Sequence, residues 1–147
     1  MISVLLADDH AIIRDSLCSM LEQAGDIHVV ATASNGQEAI SLASLHVPDI
    51  AIVDISMPVM GGFEATGQIR ATSPSTRVMI LSAYDDPEYV RHALDIGVSG
   101  FVSKDTAGED LVSAIRLVHM GKHYFSQKIA EIAKKHMKQT GKDHSAD

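Results

Sequence analysis

Five times along the chain, a short apolar run is followed by a stretch whose apolar residues return every three or four positions. The runs are Ile2–Ala7, Ile27–Ala31, Ile50–Val53, Val78–Leu81 and Gly100–Ser103. They are nearly continuous rather than alternating, the pattern of strands covered on both faces. The intervening segments carry helix punctuation. Ile13, Leu17, Leu21 and Ala24 form one stripe, closed by Gly25. Asn35 is placed to cap a second helix, with Glu38 in capping-box position and Pro48 beyond its end near Leu45. After the loop SMPVMGG, Phe63 to Arg70 fits a third helix. Pro87 opens a fourth that Gly97 closes, and Leu111, Ile115 and Val118 mark a fifth, closed by Gly121. Strand–helix alternation with right-handed crossovers predicts an α/β fold: a doubly wound, five-stranded parallel sheet with helices on both faces.

At 147 residues and 46% apolar content, the chain can bury a core of domain size, which excludes disorder along most of its length. A single cysteine, Cys18, excludes a disulfide scaffold and reads as a small core residue. No apolar run approaches membrane-spanning length, and the start MISVLLADDH lacks a positive flank. No membrane contact and a cytoplasmic location are the default expectations. A net charge of −7 argues against broad nonspecific binding to nucleic acid.

Composition shifts after Gly121. Six of the chain's 12 basic residues follow it: Lys122, Lys128, Lys134, Lys135, Lys138 and Lys142. Ser126 is placed to cap a sixth, amphipathic helix with Ile129, Ile132, Ala133, His136 and Met137 on one face, packing on the domain or on a twin subunit. The stretch TGKDHSAD reads as a polar tail. The division is residues 1–121 as the folded domain and 122–147 as a linker-like helix and tail. A lysine face on such a helix is usually solvated surface.

Open α/β sheets bind ligands outside the carboxyl ends of their strands. The first polar residues there are Asp8 and Asp9, Asp54, Ser82 and Lys104, whereas the second strand ends in Ala31-Thr32. Any one of them alone is usually a turn former, a cap or solvated surface. Together they form a set. Crowded carboxylates repel one another, and a hard divalent cation such as magnesium relieves that repulsion. An aspartate beside the cation can attack phosphorus, Lys104 supplies positive charge, and Ser82 supplies a hydrogen bond.

The ordered combination LLADDH, IAIVDISMPVMGGFEA, VMILSAYDD and GFVSKD resembles the receiver domain of two-component response regulators over residues 1–121. The resemblance implies a flavodoxin-like, CheY-like (βα)5 fold with strand order 2-1-3-4-5 and an extra C-terminal helix. It implies that Asp54 accepts a phosphoryl group from a sensor histidine kinase. It further implies that Asp9 binds Mg directly, that Asp8 does so through water, and that Ser56 lends its backbone carbonyl. By the same resemblance, Ser82 and Phe101 are switch residues, Phe101 moving inward on phosphorylation, and Lys104 is the charge-stabilising lysine. Ser56 and Tyr84 would set phosphoryl lifetime. Many receivers have a cis proline after the lysine; Asp105 stands there instead, leaving that bond cis or trans.

GKHYFSQKIAEIAKKHM resembles the linker of NarL/FixJ regulators, which carry a LuxR-type helix-turn-helix. That implies transcriptional output through a DNA-binding domain not in these residues, with a homodimer possible on phosphorylation. The alternative is a stand-alone receiver acting through protein contacts. An aspartate-nucleophile phosphatase of the haloacid dehalogenase type needs a second acid at position 56, where the chain has serine, so a non-enzymatic role is expected. A flavodoxin-type flavin module needs donors after the first strand, where Asp8 and Asp9 repel phosphate. His10 is equally readable as a site contact or a helix start. His119 and His123 read as solvated, and Met57, Met60 and Met79 as packing residues.

Overall fold

The computed structural model describes residues 1–139, with side chains described through His136; the polar tail TGKDHSAD and the Met137 side chain lie outside what is described. In chain order the elements are β1 (Ile2–Ala7), α1 (Ala11–Gln23), β2 (Ile27–Ala33), α2 (Gly36–His46), β3 (Ile50–Asp54), α3 (Gly62–Thr72) and β4 (Arg77–Ser82). They continue with α4 (Pro87–Asp95), β5 (Gly100–Ser103), α5 (Ala107–His119), β6 (Tyr124–Phe125) and α6 (Gln127–Gln139). All paired strands are parallel, in the order β2-β1-β3-β4-β5-β6. The doubly wound sheet is as the alternation predicts, and its first five positions are as the receiver resemblance implies.

Strand alternation sorts the core into two sides. Val4, Leu6, Ile50, Ile52 and Val102 face α1 and α5, where Leu17, Leu21, Leu111, Ile115 and Val118 meet them. On the other side, Leu5, Ala51 and Val53 pack on Ala39, Ala43, Ala65 and Ile69 of α2 and α3. Ile80 and Phe101 pack on Val90 and Ala93 of α4 and on Ile129 of α6. Met79 is fully buried, Met57 and Met60 pack against the core, and Cys18 lies at the edge of the α1 cluster. The α1 stripe buries from Leu17 onward; Ile13, in the first turn, stays 39% exposed.

The helix ends follow the sequence cues. Asn35 Oδ1 accepts the Glu38 N–H, and Glu38 reaches back to Ser34, one residue earlier than a simple capping box. Pro87 starts α4, while Gly25, Gly97 and Gly121 take positive φ at helix ends.

Two expectations change. The sheet has six strands, not five: after Gly121 the chain turns back, and Tyr124–Phe125 pairs with Gly100–Phe101. A strand of two residues is too short for any periodic signal. Ser126 does not serve as the expected helix cap alone; its hydroxyl accepts the Ser103 N–H at 3.0 Å and ties the segment to the end of β5. Helix α6 packs on the same chain. Ile129 is fully buried, Ala133 is 7% exposed, Ile132 packs against the same cluster, and His136 is half-buried.

Candidate functional site

Alternation of side chains places the site. Asp8 continues the Val4–Leu6 side of β1, Asp54 the Ile50–Ile52 side of β3, and Lys104 the side of Val102 in β5. Three strands thus deliver two acids and one ammonium to one corner of the carboxyl rim. Lys104 Nζ donates to Asp54 Oδ2 at 2.9 Å and lies 3.0 Å from Asp8 Oδ2. Side-chain exposure is 0% for Asp8, 3% for Asp54 and 10% for Lys104. Asp9, a third exposed, completes the acidic group.

His10, at the N-cap of α1, joins the cluster. Its backbone N–H donates to Asp8 Oδ1 at 2.9 Å. Its Nδ1 lies 3.0 Å from Asp8 Oδ1, 3.3 Å from Asp9 Oδ1, 3.9 Å from Asp54 Oδ2 and 3.2 Å from Lys104 Nζ. Both readings of His10, helix start and site contact, therefore hold. Asp54 Oδ1 also accepts the Ser56 N–H at 3.2 Å.

The electrostatics are unbalanced. Burial pushes the Asp8 carboxyl up, but the His10 N–H, Lys104 and the His10 ring outweigh it and hold the group below its ordinary value. Asp54 is pushed above its ordinary value: burial is the main cause, the Asp8 charge adds to it, and Lys104 offsets only part. Burial alone would depress Lys104; its contacts with Asp54 and then Asp8 overcome that and raise it, so the ammonium stays charged.

The fit to a divalent cation rests on one atom. Asp8 Oδ2 is buried with no hydrogen-bond partner; the contact with Lys104 is at ion-pair distance but outside hydrogen-bond geometry. A buried carboxylate oxygen normally finds a donor. Three carboxylates against one lysine leave an excess of negative charge, and ligand atoms of Asp8, Asp9, His10 and Asp54 all lie within 4.8 Å of one another. The three carboxylates offer hard oxygen donors, which suit magnesium.

The remaining candidates sit around this corner. Ser82, 1% exposed, ends β4 on the opposite side parity, following Ile80; its Oγ accepts the Tyr84 N–H at 2.8 Å. The register pairs Ser82 with Ser103 and Asp54 with Leu81, so serine and aspartate end adjacent strands. Tyr84 is half exposed, its ring tilted against Tyr89. Phe101 is fully buried beneath Val90, Ala93 and Ile129. Ile129 of α6 contributes to the cluster that covers the ring. His119 and His123 are both exposed, at the end of α5 and beyond it. All described peptides are trans, Lys104–Asp105 included.

One contributor escaped the sequence reading. A Cβ on Gly62 would lie 2.2 Å from the Asp54 carbonyl oxygen, so only glycine lets the start of α3 close behind the acidic strand end. The glycine pair after Met60 is the available signal in the sequence, and by itself it marks only a loop.

Comparison with known proteins agrees with this geometry. Residues 4–116 match the family model described as the response regulator receiver domain. The chain is a member of that family. Among curated proteins, the receiver is 37% identical over 142 residues to the oxygen regulatory protein NreC of Staphylococcus carnosus, covering 95% of the chain and 65% of that protein. It is 40% identical over 121 residues to the transcriptional regulatory protein LnrK of Bacillus subtilis, covering 82% of the chain and 55% of that protein. The chain therefore spans roughly three-fifths of the length of these relatives. Among solved structures, a LuxR-family response regulator from Aurantimonas superposes with a TM-score of 0.86 at 32% identity, covering 92% of this receiver and 97% of that chain. The signal receiver domain of a NarL regulator from Mycobacterium tuberculosis gives 0.79 at 34% identity, covering 82% and 98%. This is a receiver domain of the NarL/LuxR type of two-component response regulator, a signalling protein. Among the described residues, no helix is long and apolar enough to cross a membrane.

Proposed function

We propose that Asp54 accepts a phosphoryl group from a phosphohistidine of a sensor histidine kinase. The observation that carries this reading is the buried Asp8–Lys104–Asp54 ring with its hydrogen-bond-deficient Asp8 oxygen. An Asp54 carboxylate oxygen attacks phosphorus; the bond from phosphorus to the donor imidazole nitrogen breaks, and an aspartyl phosphate forms. Phosphoryl transfer asks mainly for alignment and charge neutralisation. Asp8, Asp9, Asp54 and the Ser56 carbonyl would hold magnesium, which supplies positive charge beside the phosphoryl oxygens. Lys104 Nζ, already on Asp54 Oδ2, follows the developing charge. The Ser82 oxygen accepts from Tyr84, and its own proton can be donated to a phosphoryl oxygen.

The signal leaves by the β4–β5 side. A shift of Ser82 or Lys104 acts on the ends of β4 and β5, and α6 is fastened there through Ser126 to Ser103 and through Lys128 to Asp85 at 2.8 Å. Residues 122 onward are read as the linker to an output region in a longer protein. That output would be transcription through a LuxR-type DNA-binding domain, with phosphorylation favouring a homodimer. The family resemblance and the regulators NreC and LnrK support this. Such a regulator works in the cytoplasm and is a switch rather than an enzyme.

The test is incubation with magnesium and a small phosphodonor. The wild type acquires an acid-stable, hydroxylamine-labile phosphoryl group, and Asp54→Asn acquires none. An unlabelled wild type, or a labelled Asp54→Asn, overturns the assignment. Tyr84 is half exposed beside the site and shields the bond from water. Tyr84→Ala is expected to shorten the lifetime of the label, and an unchanged decay rate removes that role.

A further inference from the structure

Helix α6 is held unevenly. Its inner side packs with α4 and β5: Ile129 is fully buried and Ala133 is 7% exposed, in one cluster with Phe101, Val90 and Ala93. On the α5 side its first turns face a cavity of about 590 Å3 instead. Glu131 of α6 lines that cavity together with Glu109 and Asp110 of α5, and like charges there weaken the hold. The start of the helix hangs on two anchors. Ser126 Oγ accepts the Ser103 N–H at 3.0 Å, and Lys128 Nζ lies 2.8 Å from Asp85 Oδ2. Ser103 directly precedes Lys104, and Asp85 is three residues past Ser82. Both anchors therefore stand on the two strand ends that carry Ser82 and Lys104. The Lys104 N–H donates to the Ser82 carbonyl at 2.8 Å, which ties those ends together. Ser82 Oγ accepts the Tyr84 N–H at 2.8 Å, so it cannot turn toward Asp54 without dropping that bond or dragging the segment that leads to Asp85.

We propose that α6 is a releasable strap: phosphorylation of Asp54 displaces Ser82 and Lys104, loosens the Ser103 and Asp85 anchors, and frees α6 from Phe101, Val90 and Ala93. This rests on the reading of Asp54 as the phosphoryl acceptor. The unmodified chain keeps that apolar face covered with its own helix, so the phosphoryl site controls whether the face is open. The anchors are one exposed ion pair and one hydrogen bond, contacts modest enough for a local charge change to tip.

The test is amide hydrogen exchange on the full chain with magnesium, with and without beryllium fluoride, which stands in for a phosphoryl group on a carboxylate. Beryllium fluoride is expected to speed exchange at residues 129–133 by about tenfold or more, while residues 50–53 stay protected. Ser126→Ala removes the acceptor of the Ser103 N–H and is expected to speed exchange at 129–133 without beryllium fluoride. Coupling is reciprocal, so the same variant should bind beryllium fluoride about fivefold or more tightly than the wild type. Ser126→Thr keeps the hydroxyl and should keep the wild-type affinity. Fraying of α6 in Ser126→Ala with unchanged affinity is what a merely structural contact gives, and it overturns the strap. Bound beryllium fluoride with unchanged or slower exchange at 129–133 also overturns the strap and leaves Asp54 standing as the acceptor. A wild type that neither binds beryllium fluoride nor takes up phosphoryl label overturns both readings.

Discussion

At the amino-terminal rim of the sheet, Ser3 and Asp49 exchange hydrogen bonds, each backbone N–H donating to the other's side-chain oxygen at 2.9 Å. Beside them the buried Thr76 hydroxyl donates to the Pro48 carbonyl at 2.7 Å and lies 2.7 Å from Ser73 Oγ. At the carboxyl-terminal rim, Asp8, Asp9 and Asp54 crowd a single lysine, and one buried oxygen goes without a hydrogen bond. Both rims bury polar groups next to the same strands. The first closes its accounts locally and holds the fold together. The second keeps an electrostatic deficit that only a ligand can close. A polar residue at a strand end is therefore informative less by being buried than by being left incompletely paired.

The largest stability effect that sharpens this contrast is Lys104→Met. It leaves two buried carboxylates facing each other, at a cost of about 3 kcal/mol near neutral pH. The loss should shrink as pH falls. The native state would then bind protons at Asp54 and Asp8 more readily than the unfolded chain, so acidification stabilises the variant. Urea denaturation at several pH values, with and without magnesium, checks both the size and the sign. A flat pH response would mean the acids are not coupled to the lysine.

At the opposite rim, Thr76→Val should cost about 1–3 kcal/mol, since the Pro48 carbonyl and the Ser73 hydroxyl lose a buried partner. The same variant should take up phosphoryl label at the wild-type rate. Impaired labelling would show that the two rims are not separable.

The smallest expected effect runs in the opposite direction. Asp54 has its carboxyl raised above the ordinary value by burial. Its charged form is thus disfavoured in the folded state, with the penalty absent at pH below the unfolded value and complete above the folded one. Asp54→Asn removes that penalty, so without added metal its Tm at neutral pH should exceed the wild type by a few degrees. Magnesium should narrow the gap by stabilising the wild type alone. A lower Tm for Asp54→Asn would mean that the Lys104 pairing outweighs burial.

Much of this was legible beforehand because it is written locally. The central runs, β3 above all, are buried on both faces, so they stay apolar until the chain leaves the sheet; the first polar residue then marks the rim. That is why Asp8, Asp54, Ser82 and Lys104 could be named from their positions. Gly62 was not legible as a site contributor, since its role is steric contact with the back of Asp54 rather than any side-chain chemistry. Phe101 could be named, but not its cover, because Ile129 comes from an element beyond the repeating pattern.

The sequence by itself determined the alternation of strands and helices, the parity that aims Asp8, Asp54 and Lys104 to one side, and the surplus of acid at the rim. These follow from periodicities within a few residues of each position. Only the tertiary structure decided the sixth strand, the docking of α6 over Phe101, and the meeting of His10 with Lys104 across 94 positions of the chain. Those depend on how separate elements pack, and a contact between distant residues leaves no periodic trace in either of them.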